Sequence, residues 1–348
     1  MLNVYALEST VEAAMQAAQV PGLALAIVQR HELMYARGFG TTSVEEGGQP
    51  VAPTTLFRVG SVTKPLTGTA IMRLVDAGML ALDRTVKSYI PWFSLSDPAA
   101  SEQVTLRMLL SHTSGLPHDH RPFGRRDAAA LEARIRHEVP RYQLVAAPGT
   151  RHAYSNTGIH VLAYLAEVVT GKSYTEVMQE LVFEPLEMER TTFDPTVAMT
   201  YPLAQSHSLD EDGTLKVEHR YADNAANYAS GQAISNVLDL VNFATMHLRQ
   251  GRFGASTILS PAAVAEMHRP QAGRGDGTAY GLTLVVKEWR GVTRVGHGGA
   301  ITNFGATFEL VPAVGAAVIA LYNRLAAGFG LGQIVDQILG ELLDQPAA

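Results

Sequence analysis

The sequence predicts an α+β fold, with a central antiparallel sheet flanked by helices and a mainly helical unit inserted into it. Three observations carry this expectation. Strand-like runs "LALAIVQ" and "ELMYARGFG" lie near the N-terminus. Four more, "GLTLVVKEW", "VTRVGHGG", "FGATFELVP" and "GAAVIALYN", lie near the C-terminus. Between about Thr69 and Arg249 the apolar spacing is instead that of helices. Sheet strands at both ends and helices in the middle imply one sheet built from the two termini.

Taken in order, Ser9 and Glu12 have capping-box spacing ahead of a short helix that Pro21-Gly22 ends. The two N-terminal runs, joined by a short polar turn, read as a hairpin. The segments "AIMRLVDAGML", "LRMLLSH", "HVLAYLAEVVTG", "SYTEVMQELV" and "NVLDLVNFATMHL" then carry helical periodicity, punctuated by Pro and Gly, with room for short edge strands. After the four C-terminal strands, "GQIVDQILGELL" is an amphipathic closing helix. The expected division is a sheet unit of residues 1–82 with 232–348 and a mainly helical unit of residues 83–231.

Composition narrows the function. Of 348 residues, 47% are hydrophobic and 17% charged, which fits a well-buried globular protein. A net charge of -6 without a dense basic run points away from nucleic acid and anionic membranes and toward small-molecule partners. There is no cysteine, so disulfides and thiolate chemistry are excluded. The apolar run "GLALAIV" is too short to span a bilayer, and the first residues lack a basic leader pattern. The expectation is a soluble protein, cytoplasmic as the chain stands and exported if a signal peptide has been removed.

Three segments can carry chemistry. In "FRVGSVTKPLTG", Pro65 confines the helix start to the preceding few residues, because only the first four N–H groups of a helix lack intrahelical partners. Ser61 then sits at the first turn, and Lys64, three residues on, shares its face. Alone, the pair also reads as a cap followed by a solvated lysine. In "HAYSNTG", Tyr154, Ser155 and Asn156 form a polar loop before a helix. In "VGHGGA", His297 precedes Gly298, Gly299 and Ala300 at a strand end where little side-chain bulk blocks another backbone.

Ser-x-x-Lys, Tyr-Ser-Asn and His-Gly-Gly, in this order, resemble the three signature motifs of the penicillin-recognising serine hydrolases, a β-lactamase/transpeptidase-like fold. The resemblance is to the branch holding class C β-lactamases, low-molecular-weight D,D-peptidases, D-aminopeptidases and family VIII carboxylesterases. "LLSHTSGLP", "APGTRHAYSNTG" and "GHGGAITNFGATFELVP" extend it from about residue 10 to near the C-terminus. It implies an active site between the two units and an acyl-enzyme on Ser61, with no cofactor and no metal. Lys64 and Tyr154 would activate the serine. Their ordinary pKa values, about 10.4 and 10, make neither a base at neutral pH without help. The resemblance favours Tyr154 as the base, and the residues alone leave the choice open. Asn156 would orient Lys64 or a substrate amide. The backbone N–H groups of Ser61 and Ala300 would bind the oxyanion, beside His297, Gly298 and Gly299.

One departure bears on substrate. Relatives with Lys-Thr-Gly or His-Thr-Gly-Thr as the third motif offer hydroxyls, and in the first case a permanent cation, to a substrate carboxylate. Here the hydroxyls are absent and the cation is replaced by an imidazole. The expectation leans to ester or D-amino-acid amide hydrolysis. A true class C-like β-lactamase or D,D-carboxypeptidase is the alternative, and a penicillin-binding sensor that acylates without turnover the third reading. Arg294, at odd spacing from His297, should face the other side of its strand, and Arg274 in "AGRGDG" reads as a solvated loop residue, with folding over the cleft as the alternative. "TGKS" at Thr170 to Ser173 reads as a helix end at Gly171 followed by a Ser173-Glu176 capping box. "HDH" at His118 to His120 reads as a polar loop near the cleft mouth.

Overall fold

A computed structural model describes residues 2–344. Eight strands form one antiparallel sheet: β1 (Gly22–Gln29), β2 (Glu32–Gly40), β3 (Ala272–Gly273), β4 (Ala279–Tyr280), β5 (Val285–Trp289), β6 (Val292–Ile301), β7 (Phe304–Val311) and β8 (Ala316–Tyr322). Their spatial order is β2-β1-β8-β7-β6-β5-β4-β3. The chain ends meet at the β1–β8 ladder, where Leu25 opposes Ala320 and Ala26 opposes Ile319. The two-ended sheet expected from the sequence is therefore the observed one.

The unbroken apolar character of "LALAIV" follows from burial on both sheet faces. Leu23, Leu25 and Ile27 point to one side with Val318 and Ala320, against α1 (Val4–Ala17) and the closing helix α5 (Leu331–Leu343). Ala24, Ala26 and Val28 point to the other with Ile319 and Leu321. That second face meets α2 (Thr63–Asp76) and α4 (Val237–Leu248) in a core that continues into α3 (Asn156–Thr170) and its neighbours. A strand covered on both faces has no polar side to alternate with.

Two local expectations are corrected. The first helix begins at Val4, capped by the Asn3 side chain, so Ser9 and Glu12 lie inside it rather than at its start. The strand in "GLTLVVKEW" starts only at Val285, because the chain turns through Thr283 at φ 64. Elsewhere the local chemistry acts as read: Gly171 ends α3 at φ 70, and Ser173 with Glu176 forms a capping box. The short edge strands in the middle are Phe57–Arg58 with Ile234–Ser235, and His207–Leu209 with Leu215–Val217.

α2 positions the chemistry. It is buried nearly all round, with Lys64, Leu66, Ala70 and Ile71 among its covered residues, so it is a core helix rather than a surface one. Gly60 at φ +52 turns the chain into the short 3-10 segment Gly60–Val62, and Pro65 falls in the first turn of α2, where its missing N–H costs little. The turn is held by Thr63, whose hydroxyl donates to the Gly60 carbonyl at 2.7 Å.

Candidate active site

The 3-10 turn delivers Ser61 to the edge of β6. Strand β5 pairs with β6 only between Val292 and Gly296, so from His297 onward that edge of β6 is left to the Ser61 turn. The approach is very close. A Cβ on Gly60 would lie 2.5 Å from the Ala300 nitrogen, and one on Gly299 would lie 2.0 Å from the Val59 carbonyl oxygen. His297 to Ala300 sit inside β6 rather than at a strand end, paired with Phe308 to Gly305 of β7. The backbone that the glycines admit is, at Gly299, this chain's own.

Gly298 differs, since the nearest atom to a Cβ there is 4.0 Å away. Gly299→Ala is therefore expected to cost about 1–3 kcal/mol of stability by overpacking, whereas Gly298→Ala should leave stability nearly unchanged. Parallel thermal melts of the two variants check this, and equal melting temperatures would contradict the close approach.

Ser61, Tyr154, Arg274, His297, Gly298, Gly299 and Ala300 line a cleft of about 710 Å³. A smaller cavity beside it joins Ser61, Asn156, Ser230, Ala300 and His120. Lys64 lies beneath, with no exposed surface. Its Nζ is 3.0 Å from Ser61 Oγ and donates to the Ser230 carbonyl at 2.6 Å. The same Nζ sits 4.7 Å from the centre of the Tyr154 ring. The structure thus gathers all eight residues expected from the sequence.

Burial drives the two candidate bases apart. The Lys64 amine is held well below the usual lysine range because it is fully desolvated. The Tyr154 phenol is pushed up, chiefly by burial, and a hydrogen bond with Ser61 acts against that rise. At neutral pH this arrangement can offer an amine that accepts a proton and a phenol that keeps one.

Of the two parts expected of Asn156, orienting Lys64 is the one its contacts do not serve. Its Nδ2 donates to the Asp119 carbonyl at 2.9 Å, and Lys64 is oriented by Ser230 instead. Ser230 is held in turn by His160, whose Nε2 lies 2.8 Å from Ser230 Oγ. Nothing in the sequence around Ser230 marks it, because its contribution is a backbone carbonyl. Asn156 Oδ1 carries no hydrogen bond.

His297 is buried beside the cleft. It is 5% exposed, and burial, then the Lys64 charge, lower its pKa to about 3. Its Nε2 lies 2.9 Å from the Tyr280 hydroxyl and its Nδ1 2.6 Å from the Gly298 carbonyl. Such a ring is neutral throughout the physiological range. The apparent affinity for a carboxylate-bearing substrate should therefore stay flat from pH 5.5 to 7.5. Inhibition constants of an anionic substrate analogue across that range check this, and a progressive weakening toward pH 7.5 would show an imidazolium.

Arg294 is buried in ion pairs with Glu309 and Asp336 that tie β6 to β7 and α5, and contrary to its spacing it also borders the cleft, beside Glu309. Arg274 does reach the cleft wall, where it donates to Thr278 at 3.1 Å and lies 3.6 Å from Asp276. His118 packs against Tyr154 at 5.4 Å between ring centres. Two further residues escaped sequence reasoning. His112 was visible only as part of "LLSHTSGLP", and Tyr280 sits in a two-residue strand with no pattern to reveal it.

Fold and site together are those of a serine hydrolase related to β-lactamases. The family profile described as Beta-lactamase matches residues 7–334, and the chain belongs to that family. It is 33% identical to penicillin-binding protein 4 of Amycolatopsis lactamdurans, over 93% of this chain and 86% of that protein. It is 30% identical to the unguisins hydrolase ungD' of Aspergillus campestris, over 87% of this chain but only 58% of that longer protein. Among solved structures, the octameric penicillin-binding protein homologue from Pyrococcus abyssi superposes with a TM-score of 0.86 at 28% identity, covering 99% of this chain and 78% of that one. EstCE1, described as a hydrolase with promiscuous acyltransferase activity, matches at a TM-score of 0.79 and 24% identity over 95% and 98% of the two chains, a likeness of fold. No helix among the described residues is long and apolar enough to cross a membrane.

Proposed function

We propose that the chain hydrolyses ester or D-configured amide bonds through an acyl-enzyme on Ser61. The observation that carries this reading is the 3.0 Å contact between Ser61 Oγ and the buried Lys64 Nζ, at the start of a core helix and facing the edge of β6. Lys64 takes the serine proton as Oγ attacks the carbonyl carbon. Tyr154, kept as a phenol, gives its proton to the leaving group and is refilled by the proton that Lys64 took, which leaves the amine and the phenol as they began. The Ser61 and Ala300 backbone N–H groups hold the oxyanion, and Asn156 Oδ1 accepts from a substrate N–H. Water then repeats the attack on the acyl-enzyme. The site lies between the sheet unit, residues 1–82 with 232–348, and the mainly helical unit, residues 83–231.

A neutral His297, flanked by Gly298 and Ala300 with no hydroxyl, favours substrates without a free carboxylate. Arg274 on the cleft wall favours a second reading, a β-lactamase or D,D-carboxypeptidase whose substrate anion meets the guanidinium. A panel of nitrophenyl butyrate, a D-alanine anilide, a chromogenic cephalosporin and a D-Ala-D-Ala peptide separates the two. The first reading requires the highest kcat/KM on the ester or the anilide. A preference of tenfold or more for the cephalosporin or the peptide overturns it. A stable adduct with no turnover on any of the four would identify a sensor.

A further inference from the structure

Four hydrogen bonds run in series between the start of α3 and the edge of β6. The Ser155 N–H donates to His112 Nδ1 at 3.2 Å. His112 Nε2 and the Tyr280 hydroxyl are 3.2 Å apart, Tyr280 and His297 Nε2 2.9 Å, and His297 Nδ1 and the Gly298 carbonyl 2.6 Å. His112 and Tyr280 are essentially inaccessible, at 0% and 1% exposure.

Both ends of this chain are backbone groups with only one possible role. An amide N–H can only donate and a carbonyl can only accept. The Ser155 N–H makes His112 Nδ1 an acceptor, so the neutral ring carries its proton on Nε2 and donates it to Tyr280. At the far end the Gly298 carbonyl requires the proton on His297 Nδ1, which leaves Nε2 to accept the Tyr280 O–H. Tyr280 accepts once and donates once, and every proton is assigned.

We infer that His112 and Tyr280 form a proton-ordering relay that locks His297 in its neutral Nδ1–H tautomer and so keeps a positive charge from forming beside the Lys64 amine. The inference rests on reading Ser61 and Lys64 as the catalytic pair. To place a proton on His297 Nε2, Tyr280 would have to turn its O–H toward His112. His112 would then carry its proton on Nδ1, directed at the Ser155 N–H, donor against donor. The backbone cannot reverse, so the relay resists protonation from both ends.

The groups facing His297 are Tyr280, Lys64, Arg274 and the Tyr154 ring at 6.1 Å. Those facing His112 are Lys64, His118, His152, His297, Tyr280 and the Tyr154 ring at 4.4 Å. All the cations among them oppose a charge on either imidazole. His112 and Tyr280 are positioning residues, since neither is a nucleophile nor a base for the substrate.

The test is nitrogen NMR of histidine-labelled protein between pH 4.5 and 8, with kcat/KM for a neutral ester measured in parallel. In the wild type, His297 should show the Nδ1–H tautomer and no titration. In Tyr280→Phe the imidazole loses its donor and should begin to titrate. An imidazolium beside Lys64 opposes proton uptake by that amine, so an added acidic limb should appear. Burial still opposes the charge, so the titration moves up without reaching 6.5, and kcat/KM at pH 4.5 relative to pH 7.5 should fall severalfold further than in the wild type. His112→Leu should act in the same direction. His112→Gln, which keeps a donor toward Tyr280, should leave His297 silent.

An imidazolium or an Nε2–H tautomer in wild-type protein at pH 6 overturns the relay even if the variants do not fold, as does an unaltered His297 in Tyr280→Phe. Mass spectrometry of the same samples with a slow acyl donor reports separately on the catalytic reading. Absence of a Ser61 adduct in the wild type refutes that reading while the tautomer measurement stands by itself.

Discussion

Ser61→Ala should lower turnover of an activated ester by about 10⁴- to 10⁶-fold, the scale seen when the nucleophile of a cooperating catalytic group is removed. The loss belongs to kcat, because the cleft, the edge of β6 and the Ser61 backbone N–H all survive the substitution. Ser61 is partly exposed at the cleft floor and its hydroxyl meets Lys64 and Tyr154, so the alanine removes contacts without opening a core cavity. Folding stability should change little. Intact-protein mass spectrometry supplies the companion result: the wild type gains the mass of the acyl group from a slow donor, and the variant gains nothing. Wild-type turnover in Ser61→Ala would sink the assignment of the nucleophile.

How much of this was legible beforehand depends on what kind of contact each residue makes. Ser61 and Lys64 were legible because their relation is local, three residues along one helix with Pro65 fixing its start. The strands at the two ends of the chain were legible because apolar runs of β1 and β8 are demanded by burial on two faces. The pairing of Leu25 with Ala320, across nearly the whole chain, followed from architecture rather than from either run alone.

Ser230 was not legible, since a carbonyl oxygen is present at every position and only tertiary placement makes one matter. Tyr280 was hidden for a similar reason. Its hydroxyl gains a role only because β4 lies beside β5, which lies beside β6, in a sheet assembled from distant segments. The charge state of His297 was not legible because sequence supplies an imidazole with an ordinary pKa near 6.5 but not its burial. Sequence leaves Arg274 between a solvated loop and the cleft, and only the fold shows that its loop borders the cleft.

Lys64→Met is expected to reduce kcat on the same ester by about 10²- to 10⁴-fold, the range that a positioned general base contributes. The protein should remain folded, since Met matches the length of the lysine stem and ends the burial of an amine that meets no carboxylate within 4 Å among the described residues. The sign of the pH dependence follows from burial. A depressed amine pKa means that Lys64 gains its proton, and is lost as a base, only as pH falls through that lowered value. Wild-type kcat should thus rise with pH to a plateau that holds into the alkaline range, because burial raises the Tyr154 phenol and lets it keep its proton there.

The two candidate bases then give opposite signatures. If Lys64 accepts the Ser61 proton, the acidic limb vanishes in Lys64→Met and persists in the remaining activity of Tyr154→Phe. If Tyr154 accepts it, the acidic limb is lost in Tyr154→Phe instead. The Tyr154 ring adds a reason for the first outcome. Its face lies 4.7 Å from Nζ and can stabilise the ammonium that forms during acylation, by about 0.5–2 kcal/mol for a desolvated contact. That stabilisation arises only once the proton has moved, which is the timing catalysis requires.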